Sequence, residues 1–137
     1  MNERDIEKIA GCLGKYSIVV AYLFGSEAKG TSGALSDIDI AVFLDKKTDK
    51  SERFDLRLRL SNELSSIMNK QVDIIILNDS ALHLSYEVIK HGSAIFCMDN
   101  SMKADFETDV LSRYLDRRYY DKRHAEITLE KIASKGF

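Results

Sequence analysis

Three short apolar runs fix what this chain can become. They are Ile18-Val19-Val20-Ala21-Tyr22-Leu23-Phe24, Ile40-Ala41-Val42-Phe43-Leu44 and Val72-Asp73-Ile74-Ile75-Ile76-Leu77. Each is too short for a buried helix, rich in β-branched residues and bounded by polar segments, which is the pattern of a buried strand. Between the second and third, Leu56, Leu60, Leu64 and Ile67, joined by Met68, repeat at helical spacing over residues 52–69, with Arg53 and Arg57 away from the stripe's centre. Ile6, Ile9 and Leu13 mark an earlier helix over 2–13, with Asn2 as its cap and Gly14 as its stop. A helix capped by Asp79 or Ser80 runs to about Lys90 and ends at Gly92, and residues 93–97 read as a fourth strand. From residue 101 to about 134 the pattern is helical again, through Phe106, Val110, Leu111, Tyr114 and Leu115. Strands alternating with helices predict an α/β fold, a mixed sheet with helices packed on it and a long C-terminal helical segment.

The chemistry concentrates where the first run gives way to the second. Gly25 permits a sharp turn and close approach of the backbone to a ligand. Ser26 can cap a short helix ending near Gly30, and such a corner favours an anion. Asp37 and Asp39 are separated by one residue entering the second strand, so they share a face, roughly 6.5–7 Å apart along the backbone. Two carboxylates on one face favour a cation between them, and all-oxygen ligation suits Mg²⁺ completed by phosphate oxygens. Asp73 is the one charge in an otherwise apolar strand, where an ionised carboxylate is costly unless paired. It can serve as a third ligand or a base, or simply lie at the strand's exposed beginning.

Gly25-Ser26, ten intervening residues and Asp37-Ile38-Asp39, followed by Asp73 in a later strand, resemble the signature of nucleotidyltransferases related to DNA polymerase β. The shortness of the chain resembles the minimal nucleotidyltransferase (MNT) branch, many of whose members are antitoxins that transfer AMP to a HEPN-domain toxin. The resemblance covers roughly residues 16–77. It implies a small twisted sheet with helices on one side, ATP as co-substrate, one or two Mg²⁺ ions on Asp37, Asp39 and Asp73, and a tyrosine of a HEPN toxin as acceptor. It implies a nucleotide lying over Gly25 and Ser26. Many relatives carry Arg after Gly-Ser; Glu27 stands here, with Lys29 the nearest base. Two alternatives stay open: transfer to a small molecule, as in aminoglycoside-modifying relatives, and a non-catalytic antitoxin that blocks its partner sterically.

At 137 residues, with no proline or Gly/Ser linker, the chain reads as one domain, with a core over about 16–97 and the helical segment after it. A hydrophobic fraction of 45% and a net charge of -2 predict a folded protein without bulk affinity for nucleic acid or membrane, and the cytoplasm is the expected location. Cys12 and Cys97 lack metal spacing and read as reduced thiols. His83, His91 and His124 also lack it. Residues 45–52 read as a solvated loop, with no role assigned to Asp45 or Asp49. Arg113, Arg117, Arg118, Tyr119 and Tyr120 lie in a basic, tyrosine-rich stretch that suits a partner interface, though RNA binding or a solvated helix face fits the composition too.

Overall fold

The computed structural model describes residues 2–25 and 38–134, from 127 onward as backbone alone. The elements are α1 (Glu3–Leu13), β1 (Ile18–Phe24), β2 (Ile38–Leu44), α2 (Lys50–Met68), β3 (Val72–Ile76), α3 (Leu82–His91), β4 (Ser93–Cys97) and α4 (Asn100–Ser134). A single 3₁₀ turn, Leu77–Asp79, follows β3. The sheet order is β3-β2-β1-β4. β1 pairs antiparallel with both β2 and β4, while β2 and β3 run parallel. The sheet is therefore mixed, as expected, and β3 is an edge strand.

Strand side chains alternate between two faces. Ile38, Ile40, Val42 and Leu44 of β2 pack with Val72, Ile74 and Ile76 of β3 against Ile9 and Leu13 of α1 and Leu60 and Leu64 of α2. Ala41 and Phe43 pack on the other face with Tyr22, Leu77 and Val88, and with Met102 and Phe106 of α4. Helices thus cover both faces. The expectation of helices on one side only is corrected: β1 and β2 are apolar on both faces, so each face needs a cover.

Several local expectations also change. Asp49, to which no role is assigned from sequence, caps α2: its carboxylate accepts from the Glu52 N–H at 2.8 Å, so residues 50 and 51 are helical rather than loop. Asp45 organises the preceding turn, accepting from the Lys47 N–H. Leu60 and Leu64 are fully buried and Leu56 and Met68 partly so, but Ile67 is exposed. Ala81 is the N-cap of α3, without a side-chain bond; the Asp79 carboxylate instead receives Arg53 from α2 at 2.9 and 3.0 Å. Asn2 caps α1 and Gly14 ends it, both as predicted, with Gly14 in right-handed helical geometry. The left-handed cap belongs to Asn69, which ends α2 at φ 53°. Gly92 is required between α3 and β4, because a Cβ there would lie 2.5 Å from the Val88 carbonyl oxygen and 3.2 Å from that of Leu23.

A part-buried polar contact ties down the α4 cover. The Tyr22 hydroxyl donates to the Glu107 carboxylate at 2.6 Å, and Lys103 pairs with the same oxygen at 2.9 Å. Burial, and then the bond to Glu107, push the Tyr22 phenol far above its ordinary value. In the unfolded chain that phenol ionises near pH 10, so its contribution is complete below about pH 10 and declines as the pH rises beyond it. Urea unfolding at pH 9 and 11 checks this. The parent should lose stability across the interval, and Tyr22→Phe should reduce that loss by about 1 kcal/mol.

Candidate functional site

The parity that buries Ile38 and Ile40 places Asp39 on the opposite face of β2. The register of β2 with β3 aligns Ile38 with Val72, Asp39 with Asp73 and Ile40 with Ile74. Val72 and Ile74 share the face of Ile38 and Ile40, so Asp73 shares the face of Asp39. The two acids are direct neighbours across adjacent parallel strands, which are spaced roughly 4.8 Å apart. On the other side, Phe24 of β1 is the register partner of Asp39.

Gly25 follows at the end of β1 with φ +77°, a conformation that L side chains rarely adopt. A Cβ at this position would lie 2.6 Å from Asp39 Oδ2. The Asp39 carboxylate therefore occupies the space directly above the glycine. The turn residue and the acid depend on each other: the missing side chain leaves room for the carboxylate at the corner.

Of the predicted site residues, Gly25, Asp39 and Asp73 converge at one end of the sheet. Ser26 and Asp37 lie outside the described residues, as do Glu27, Lys29 and the short helix expected from Ser26 to Gly30. Asp39 is half-buried and Asp73 exposed. Asp73 is not the desolvated carboxylate expected of an apolar strand, because edge placement leaves it in water. Its significance comes from register with Asp39 instead. Among the described residues, neither His83 nor His91 belongs to a metal-ligating group; both lie at i,i+4 spacing beside Glu87. Cys12 is a buried free thiol that burial and Glu63 push up to about 11, and Cys97 is a half-buried one.

A cavity of about 740 Å³ lies elsewhere, beneath α3 and α4, bordered by Phe43, Lys46, Phe106 and Arg113. Phe43 is four residues beyond Asp39 along β2, roughly 13 Å away, so this space is distinct from the acidic corner.

The basic, tyrosine-rich stretch lies on α4. Val110 is buried and Tyr114 stacks on Tyr86 of α3 with ring centroids 3.7 Å apart. From Leu115 to Glu126 every residue is exposed, including Arg117, Arg118, Tyr119 and Tyr120. Arg113 is exposed and pairs with Asp109. Leu111 and Leu115, expected to belong to the apolar pattern of the helix, are 37% and 58% exposed. They extend the surface of Tyr119 along one helical face; their i,i+4 spacing with it was the available signal. Among the described residues, no helix is long and apolar enough to cross a membrane.

Residues 7–101 match the family described as polymerase beta, nucleotidyltransferase. The protein adenylyltransferase MntA of Shewanella oneidensis is 33% identical over 75 residues, or 55% of this chain. The chain thereby spans about half (51%) of the length of that curated relative. Among solved structures, a toxin–antitoxin crystallised with AMP-PNP superposes with a TM-score of 0.70 at 25% identity, covering 94% of this chain and 99% of that one. A tri-AMPylated Shewanella oneidensis HEPN toxin in complex with MNT antitoxin gives 0.69 at 22% identity, with coverages of 94% and 99%. The toxin–antitoxin MntA–HepT gives 0.68 at 22%, with 93% and 99%. The last two likenesses concern the fold alone.

Proposed function

Because the chain belongs to the polymerase beta nucleotidyltransferase family, we propose that it is a Mg²⁺-dependent nucleotidyltransferase, one minimal domain over 1–137, that transfers AMP from ATP to a tyrosine of a HEPN-type toxin and silences it. The observation that carries this reading is the alignment of Asp39 with Asp73 on one face, beside a glycine whose missing Cβ makes room for the Asp39 carboxylate. The 33% identity to a protein adenylyltransferase supports the reaction, and the AMP-PNP-bound toxin–antitoxin supports ATP as co-substrate.

The residues fit a hard divalent cation. Asp39 and Asp73 offer carboxylate oxygens from neighbouring strands, and Asp37, two positions before Asp39 in sequence, would add a third acid. Bound there, Mg²⁺ would neutralise phosphate charge and assist the in-line exchange of oxygens at the α-phosphorus. Gly25 and Ser26 would lie beneath the triphosphate. Asp73, exposed at the edge, would orient the acceptor hydroxyl or take its proton as pyrophosphate leaves. Most of the rate enhancement on this reading comes from placing charge and reactants.

The partner would dock on α4. Its exposed run from Leu115 to Glu126 is roughly 18 Å long, a stretch that gains little stability alone in water, and the helix carries Leu111, Leu115 and Tyr119 uncovered. Arg113, Arg117, Arg118 and Tyr120 flank them, a composition favoured at interfaces. Arg117→Glu combined with Arg118→Glu should weaken the complex at least tenfold without changing the melting temperature, as read by co-purification and calorimetry. Incubating the chain with ATP, Mg²⁺ and the product of its neighbouring gene, then weighing both intact proteins, tests the reaction. An AMP increment on the neighbour is expected. A stable complex without any increment would favour the steric reading, and no HEPN protein among its partners would remove the toxin assignment.

A further inference from the structure

The free edge of β3 is closed at both ends and open in the middle. The Ile38 N–H donates to the Gln71 carbonyl, so residues 71, 73 and 75 direct their backbone groups toward β2. Residues 72, 74 and 76 direct theirs outward. At Val72 both outward groups are taken by α2: the N–H donates to Ser65 Oγ at 2.9 Å, and the carbonyl accepts from Ser61 Oγ at 2.6 Å. At Ile76 the carbonyl accepts from Ser80 Oγ at 2.9 Å. Among the described residues, no hydrogen bond reaches the outward N–H and C=O of Ile74 or the N–H of Ile76.

The helix explains the opening. Ser65 and Ser61 are one turn apart on α2, and the next positions at that spacing are Arg57 and Arg53. The serine seal therefore stops, and a groove of about 290 Å³ follows, bordered by Lys50, Arg53, Phe54, Arg57, Ile74 and Ile76. Arg53 is held by Asp79, but Arg57 has no ion-pair partner among the described residues. Phe54 is 59% exposed.

We propose that the acceptor protein, besides docking on α4, engages this window by laying an extended, acidic segment alongside Ile74. Open strand edges take up an extended peptide through main-chain bonds, while flanking pockets and charges choose its sequence. Arg57 and Lys50 select acidic side chains, and Phe54 covers an apolar one. A second copy of this chain is disfavoured as occupant. Pairing β3 with its own copy would set Arg57 and Lys50 against their equivalents, with only the Ile74 window left to bond. The window also adjoins the acidic corner. A residue opposite Asp73 on the added strand shares the face of Asp73, roughly 5 Å away, so an acceptor side chain there points where Asp39 and Asp73 converge. The proposal names the acceptor's docking mode at the site described above and rests on that reading.

The test uses the whole chain carrying Asp39→Asn, without ATP, so that binding and transfer are read separately. The probe is a synthetic ten-residue peptide alternating glutamate and valine around one tyrosine, with a lysine-for-glutamate counterpart as control. Backbone amide spectra should show the Ile74 and Ile76 N–H groups moving as the acidic peptide is added, with the Val72 N–H unmoved. The lysine peptide should bind roughly fivefold more weakly, and Arg57→Glu should reverse the preference. In an otherwise unaltered enzyme, Arg57→Glu should raise KM for a protein acceptor and leave kcat unchanged. Equal binding of the two peptides, or shifts that miss Ile74, would overturn the docking proposal. Absence of AMP transfer by the unaltered chain, with peptide binding intact, would instead overturn the reaction.

Discussion

Asp39→Asn should reduce AMP transfer at least 10²–10³-fold while leaving the fold in place. The substitution changes one oxygen for an amide nitrogen at a half-buried position, so the side chain keeps its shape above Gly25. What it loses is charge and one anionic ligand, at the point where the two strands bring their acids together. Stability should change by less than about 1 kcal/mol, because relief of repulsion from Asp73 offsets part of any lost contact. Asp73→Asn provides the companion measurement. Its side chain is exposed, so stability should be within about 0.5 kcal/mol of the parent, and a fall in transfer would then be a chemical effect. Intact mass of the acceptor protein reads transfer, and thermal unfolding reads the fold. Full transfer by Asp39→Asn would refute the acidic corner as the reaction centre.

The strands were legible because burial on two faces leaves an unbroken apolar run, and β1, β2 and β4 fall within a residue or two of expectation. Their order was not legible. An apolar run records that a strand is covered, not which neighbour covers it. β3 shows the limit most clearly. Val72, Ile74 and Ile76 face the core while Ile75 is half-buried, so the run imitates a central strand although it lies at the edge. Its edge is screened by Ser61 and Ser65, two residues that an apolar stripe analysis of α2 passes over. Asp79 misled for a related reason. Its position before a helix suggested a cap, yet the guanidinium of Arg53, distant in sequence, binds its carboxylate instead. The pairing of Asp39 with Asp73 across strands follows only once the parallel register is known; sequence spacing could nominate both acids but not place them side by side.

Gly25 offers the sharpest separation of backbone effects from chemistry. Gly25→Ala should cost about 1–2 kcal/mol in stability, since φ +77° is unfavourable for a residue with a Cβ. Gly25→Asn should cost less, because asparagine tolerates left-handed backbone better than alanine does. Both variants add the same Cβ, 2.6 Å from Asp39 Oδ2, a separation that forces the carboxylate to move. If the placement of that carboxylate governs transfer, the two variants should be similarly impaired, each by at least about tenfold, despite unequal stabilities. If backbone strain alone mattered, activity would follow stability and Gly25→Asn would retain most of it. Melting temperatures measured beside acceptor labelling distinguish these outcomes. Near-parental transfer by Gly25→Asn would mean that the close contact between glycine and acid serves the turn rather than the reaction.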